Sequence, residues 1–349
     1  MGNSQLTFSI ILPIRNEKKY IVDTIQSILD QSYPNEKIEI LIADGNSTDG
    51  TKQIIDRYAQ NYSNIYIISN PEKIVSTGFN RALTKAKGDF IVRIDGHCQI
   101  PSEYLQRCYE LFSSKDADIV GGILETISSG TIGSAISVVQ SSIFGVGNVK
   151  FRNIGYINGG YVDTLAFGVH KRDVFEKVGG YDEVMINNQD DEFNIRVQQN
   201  GMKIWMDQSL VIKYHSRLTY KKLFKQYFNY GLYKIRGMQK RKKIFSIRSL
   251  IPSIFILILL ASIIFDIFYK ERLFSFNIIF FYLIANILFS VYNSKSIKNS
   301  VFIGFGYIVV HFSYGFGFLI GMIKFIKSWK KNQLRDTYFN RKKFKTGKI

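Results

Sequence analysis

An aspartate and a histidine separated by one glycine, Asp95-Gly96-His97, close the apolar run Phe90-Ile91-Val92-Arg93-Ile94. A carboxylate and an imidazole at this spacing can turn toward one divalent cation, and a hard cation held by few protein ligands completes its shell with phosphates. The run itself reads as a buried strand, and in an open α/β sheet ligands bind where such strands end. The spacing points to a metal-diphosphate site, against the plainer reading of an Asp-Gly turn.

Two further groups of carboxylates have reactive potential. In Asp44-Gly45-Asn46-Ser47-Thr48-Asp49-Gly50 the glycines permit tight turns. Asp44 can accept hydrogen bonds from a base N–H or from ribose hydroxyls, or the loop is simply a capped helix start. In Asn187-Asn188-Gln189-Asp190-Asp191-Glu192-Phe193-Asn194 the acids open a helix. They either complement its dipole or, by crowding, raise one another's pKa so that one can serve as a base.

The elements that must position these groups alternate. Strands are expected over Thr7–Pro13, Ile38–Ala43, Ile65–Ser69 and Phe90–Asp95, with helices over Lys18–Gln31, Thr51–Ala59 and Thr77–Lys87. This is the pattern of β-α-β units and a mainly parallel sheet, hence an α/β fold. Right-handed crossovers bring Arg15-Asn16-Glu17, Asp44 to Asp49, and Asp95 to His97 to one edge. Further along, Ser128–Gly160 is rich in Gly and Ser and reads as loops around an acceptor site. Asp163–Lys171 resumes a strand pattern, Val178–Glu183 is a turn, and a helix runs from the acidic cluster to about Asn200.

The chain has 349 residues and a net charge of +18, unevenly placed. Ser216–Arg248 carries eleven Lys/Arg and no acid, and Lys324–Ile349 carries ten against the single Asp336, leaving the rest close to neutral. That distribution excludes a uniformly basic nucleic-acid binder and suits basic flanks on an anionic membrane face. Two cysteines, Cys98 and Cys108, exclude a disulfide framework or a zinc cluster. The apolar run Ile10-Ile11-Leu12 is too short for a signal-peptide core, so the N-terminal domain is expected in the cytoplasm.

Four motifs in order carry a resemblance. Pro13-Ile14-Arg15-Asn16-Glu17, Asp44 to Thr51, Gly78-Phe79-Asn80-Arg81-Ala82, and Gly88-Asp89 leading into Asp95-Gly96-His97 resemble the motif series of family 2 glycosyltransferases with the GT-A fold, from about Thr7 to Tyr233. Bacterial succinoglycan-type exopolysaccharide enzymes with a membrane-embedded C-terminus look most similar. The resemblance implies that Asp44 contacts the uracil of a UDP-sugar and that the backbone from Pro13 through Arg15 to Glu17 lines the nucleotide pocket. Asp95 falls in the family's Asp-x-Asp metal motif, with His97 in place of the second aspartate. Imidazole shifts the expected cation from Mg2+ toward Mn2+. Asp190-Asp191 resembles the Glu-Asp pair whose second member is the base, which implies direct displacement with inversion, Asp191 deprotonating the acceptor hydroxyl. Gln226 matches the start of the Gln-x-x-Arg-Trp motif of processive synthases, but Asn229-Tyr230 replaces Arg-Trp, which argues against processive synthesis.

Apolar runs of spanning length occupy Leu250–Phe268, Phe274–Val291 and Val301–Ile323, the last with five glycines and His311. His311 reads as a packed or hydrogen-bonded residue. Three spans would place the basic tail outside, against the positive-inside tendency, so two true spans with one re-entrant or interfacial run are preferred. The stretch Tyr220–Tyr233, with Leu223, Tyr227, Tyr230 and Leu232 among lysines, reads as an interfacial amphipathic helix. The expected organisation is a cytoplasmic GT-A domain over residues 1–235, with a nucleotide-sugar half to about 125 and an acceptor half beyond. A multi-pass membrane region follows over 236–349. Expected partners are a nucleotide-sugar donor, a lipid-linked saccharide acceptor and membrane lipids; transfer to polyprenyl phosphate, or a non-catalytic membrane scaffold, are the alternatives.

Overall fold

Apolar runs bounded by polar loops become strands, and amphipathic stretches become the helices that cover them. The computed structural model describes residues 6–147, 149–152, 159–242, 247–270 and 273–327. The chain forms two compact units, one of residues up to 125 and from 159 to 214, the other of 126–152 and 215–327.

In the first unit the order is β1 (Phe8–Ile14), α1 (Ile21–Leu29), β2 (Ile38–Asp44), α2 (Thr51–Asn61), β3 (Ile65–Ser69), α3 (Val75–Leu83) and β4 (Phe90–Arg93). A short β5 (Cys98–Gln99), α4 (Tyr104–Ser114) and β6 (Ile119–Ile127) come next. After β6 the chain builds α5 (Gly130–Ser141) and α6 (Ile143–Val146) of the second unit. It then returns through β7 (Gly160–Tyr161), β8 (Val169–Lys171), α7 (Arg172–Val178), α8 (Gln189–Gln199) and β9 (Ile204–His215). The sheet order is β3-β2-β1-β4-β8-β6-β9-β5, with β7 paired to β9. β3, β2, β1 and β4 are parallel, while β8 is antiparallel to both β4 and β6. Register sets Ile14 beside Asp44 and Asp44 beside Ser69, so the expected strand ends lie on one edge.

The chain departs from expectation in three places. Ser128–Gly160 is not a run of loops among its described residues: α5, α6 and a 3-10 turn at Lys150–Arg152 occupy most of them, while residues 148 and 153–158, part of the expected Gly-rich loops, lie outside the described residues. Its apolar face packs helices, with Ala135, Ile136 and Val139 buried against α9 (Tyr220–Arg241) and α12 (Ile297–Lys324). Within Asp163–Lys171 only Val169–Lys171 is strand, because Phe167 takes φ 55° and breaks the extended run. The apolar stripe of α9, expected at a membrane surface, is covered by other helices of its own unit: Leu223 and Tyr227 are buried with Ile303, Tyr307 and Val310 of α12. Helix α4 and strands β6 and β9 were not legible as elements.

The second unit also contains α10 (Ile251–Tyr269) and α11 (Leu273–Tyr292). By length and composition α10, α11 and α12 are each apolar enough to cross a membrane, and their exposed residues are largely Ile, Leu and Phe. Asp266, near the end of α10, accepts from the backbone of Phe274 (3.3 Å) and Ser275 (2.8 Å) and so caps the start of α11. His311 bridges the Tyr282 hydroxyl (3.0 Å) and the Phe144 carbonyl (2.7 Å), a structural role as expected. Glycines bring α9 and α12 together backbone to backbone. A side-chain carbon on Gly231 would overlap the Tyr314 carbonyl, one on Gly317 that of Phe228, and one on Gly321 would sit 2.7 Å from that of Leu232. Gly231→Val should therefore cost about 1–3 kcal/mol, read as a lowered melting temperature of the detergent-purified protein, whereas an exposed change such as Ile254→Val should leave it unmoved.

Candidate active site

The loops after β1 and β2 are stitched into one body. Asn16 and Asn46 both take left-handed backbone, φ 58° and 55°, which asparagine tolerates better than most residues. The Asn16 N–H donates to Ser47 Oγ (2.9 Å) and its side-chain oxygen accepts from the Thr48 N–H (2.8 Å). The Glu17 N–H donates to Thr51 Oγ1 (2.8 Å), the Lys18 N–H to Asp49 (3.1 Å), and the Gly45 N–H to the Ile14 carbonyl (2.8 Å). Partial burial works against the Asp49 charge, but hydrogen bonds from Thr51 and Lys18 outweigh it and hold that carboxyl below the usual range. Asp44 is buried, with the Ser47 hydroxyl (2.5 Å) and N–H on its carboxylate. A carboxylate has about four acceptor positions, so room remains for a ligand donor. Pro13 lies inside β1 opposite Ala43, and Arg15 is exposed with its Cβ near Gly45.

At the end of β4 the site is organised by a residue the motifs did not flag. Arg93, only 7% exposed, grips Asp95 with two hydrogen bonds, Nε to Oδ1 at 2.9 Å and a terminal nitrogen to Oδ2 at 3.1 Å. Its guanidinium carbon lies 5.7 Å from the Phe167 ring centre and 5.6 Å from that of Tyr181. Burial opposes the Arg93 charge, yet Asp95, Tyr181 and Asp190 together hold it above its ordinary pKa. Burial pushes the Tyr181 hydroxyl upward as well, with Arg93 opposing. Asp95 and Asp190, 95 residues apart in sequence, thus act on one buried cation.

His97 is buried, its Nδ1 is 2.9 Å from a Glu17 oxygen, and its ring meets Tyr214 edge-on at 4.9 Å between centres. His97 Nε2 is buried without a hydrogen-bond partner. Among the described residues no three His, Cys, Asp or Glu side chains converge on one point. The protein thus offers one carboxylate and one unpartnered imidazole nitrogen, which fits a divalent cation that draws its other ligands from a bound phosphate.

The acidic cluster separates by role. Glu192 is fully buried and bidentate with Arg196 (2.9 and 3.0 Å), which also donates to the carbonyls of Val178 and Gly180; this pair ties α8 to the preceding turn. Asp190 and Asp191 are half-buried at the helix start after Asn188, φ 59°. The Asp191 N–H donates to Asp190 Oδ1 (3.0 Å), and Asp191 Oδ1 accepts from the Thr164 hydroxyl (3.4 Å). The loop leading to α8 is clasped by α3: Asn80 donates to the Tyr181 carbonyl (2.7 Å) and accepts from its N–H (2.8 Å), and Ser76 donates to the Met185 carbonyl (3.3 Å). The Gly78–Ala82 motif therefore positions the second half of the site. Arg93 had one legible signal, a lone arginine inside a buried strand; Asn80 stood in the Gly78–Ala82 motif without a role, and Thr164 and Tyr181 had no signal without the fold.

The glycosyl transferase family 2 model matches residues 9–152. The succinoglycan biosynthesis protein ExoA of Rhizobium meliloti (strain 1021) is 31% identical over 257 residues, 72% of this chain and 77% of that protein. The chain belongs to glycosyl transferase family 2. A second relative is 28% identical over 90% of this chain and 97% of its own length. It is the dolichyl N-acetyl-alpha-D-glucosaminyl phosphate 3-beta-D-2,3-diacetamido-2,3-dideoxy-beta-D-glucuronosyltransferase of Methanococcus voltae. The crystal structure of GalNAc-T7 with UDP, GalNAc and Mn2+ superposes with a TM-score of 0.50 at 13% identity, covering 69% of this chain and 50% of that one. The fold is accordingly GT-A and the protein a glycosyltransferase, its relatives working in polysaccharide or lipid-linked glycan synthesis.

In this glycosyltransferase Glu192 and its neighbours Asp190 and Asp191 should separate by experiment. Glu192→Ala leaves Arg196 buried and unpaired and should cost about 3–5 kcal/mol, seen as a large drop in melting temperature. Asp191→Asn, half-exposed and outside that pair, should melt close to the wild-type protein.

Proposed function

We propose that the protein is an inverting, cation-assisted transferase that moves a sugar from a UDP-sugar to a lipid-linked saccharide at the cytoplasmic face of the membrane. Asp44 receives the base, the backbone from Pro13 through Arg15 to Glu17 lines the nucleotide pocket, and Asp95 and His97 hold the cation, Mn2+ or Mg2+. When bound, the cation stabilises charge on the departing nucleoside diphosphate. Asp191 takes the proton of the acceptor hydroxyl while the acceptor oxygen forms a bond to the anomeric carbon and the bond to the diphosphate oxygen breaks on the opposite face. Asp190 donates no proton in this scheme; electrostatically coupled to Arg93 and accepting from the Asp191 N–H, it orients the helix start that carries Asp191.

The observation that carries this reading is the shared guanidinium. Arg93 binds Asp95 directly and is electrostatically coupled to Asp190, so the leaving-group carboxylate and the base segment belong to one charge cluster. The acceptor class is supported by the Methanococcus relative, whose substrate is by name a dolichyl-linked sugar phosphate. Three helices capable of spanning suit a substrate whose reactive hydroxyl sits just above a bilayer.

UDP release by the detergent-purified protein, assayed with Mn2+ and a panel of UDP-sugars with and without membrane lipid extract, should require one sugar, the cation and the lipid. Asp191→Asn should lower that transfer by about 10²–10⁴-fold. Wild-type transfer by this variant would overturn the base assignment, and extract replaceable by polyprenyl phosphate alone would overturn the saccharide acceptor.

A further inference from the structure

We infer that Glu17 is a positioning residue for the cation site, its carboxylate setting the tautomer in which His97 meets the metal. The inference rests on the reading that Asp95 and His97 hold that cation. An ionised carboxylate only accepts, so at 2.9 Å from Glu17 the His97 Nδ1 carries the hydrogen, and in the neutral imidazole that binds metals Nε2 carries the lone pair. Nε2 is the nitrogen buried without a hydrogen-bond partner, so the pairing leaves its lone pair uncommitted within the fold. Histidines that bind metals characteristically donate their other N–H to a carboxylate, which fixes ring orientation and raises ligand basicity.

Glu17 is itself held in place, as that task requires. Its N–H is bound by Thr51, and its carbonyl accepts from the N–H groups of Tyr20 and Ile21 at the start of α1, both at 2.9 Å. Gly96 leaves the space it occupies: a side-chain carbon there would stand 2.8 Å from Glu17 Cγ. The Tyr214 ring closes the other side of the imidazole. The glutamate of the first loop is thereby tied to the one position where this chain departs from an Asp-x-Asp pair. An aspartate at 97 would have no N–H to offer Glu17; a histidine does.

The test uses the full-length detergent-purified protein with 15N-labelled histidine, Mn2+ as probe and UDP present. Proton-nitrogen correlation spectra, with His97 assigned by His97→Asn, should show hydrogen on Nδ1 in the wild type and a tautomer mixture in Glu17→Ala. Free Mn2+ measured by electron paramagnetic resonance should show affinity falling about 10- to 100-fold in Glu17→Ala. The loss should be smaller in Glu17→Gln, whose amide oxygen can accept the same hydrogen. Glu17→Asp, which keeps the charge but shortens the reach, gives the same loss where the alanine variant folds poorly. An unchanged tautomer with Mn2+ affinity within two-fold of wild type in both Glu17→Ala and Glu17→Asp overturns the inference. If Asp95→Ala and His97→Ala lose Mn2+ while the Glu17 variants do not, this inference alone fails. If those two also bind like wild type, the cation-site reading fails with it.

Discussion

The burial of one arginine charge at the end of a parallel strand is the constraint on which the rest of the site depends. A guanidinium that has lost water must be met by anions and by aromatic faces, because a buried unpaired charge is among the most expensive features a fold can carry. Arg93 meets Asp95 beside it in sequence, and Phe167, Tyr181 and Asp190 from segments much later in the chain. Satisfying the charge and closing the two halves of the sheet unit are therefore one event. The clasp of Asn80 on Tyr181 and the Glu192–Arg196 pair keep those later segments where the arginine needs them.

Much of the first half was readable because its signals are local. Strand ends at Ile14, Asp44 and Arg93 follow from apolar runs broken by polar turn residues, and the register that aligns them follows from right-handed crossovers. Asp95-Gly96-His97 and the acidic run around Asp190 stand out by residue type and spacing, whereas the roles given to them come from the family resemblance. What could not be read was anything decided by long-range pairing. Thr164 is an ordinary residue until the fold brings it to Asp191, and Asn80, though part of a motif, has no partner to name until the fold brings it to Tyr181. β6 contains Gly121-Gly122, which weakens the strand signal, yet a side chain at 122 would collide with the Leu210 carbonyl, so glycine is what lets the sheet close there.

The misreading of Ser128–Gly160 has a physical cause. Gly and Ser lower helix propensity in water, but a helix can still form where an apolar face finds other helices to cover it, and Ala135, Ile136 and Val139 of α5 are buried in that way. The same applies to α9: lysines beside Leu223 and Tyr227 look like a lipid-facing stripe until α12, with glycines at matching heights, supplies a protein surface instead. Amphipathic pattern reports that a face is covered, not by what.

The interlocked loops after β1 and β2 have a thermodynamic consequence. With Asn16 and Asn46 already in left-handed backbone and their side chains or neighbours cross-bonded, few torsions are left to freeze when a ligand enters. Binding at this edge then draws little of its free energy into ordering the protein, and discrimination between ligands falls to the fit of a preformed rim rather than to closure of a mobile one.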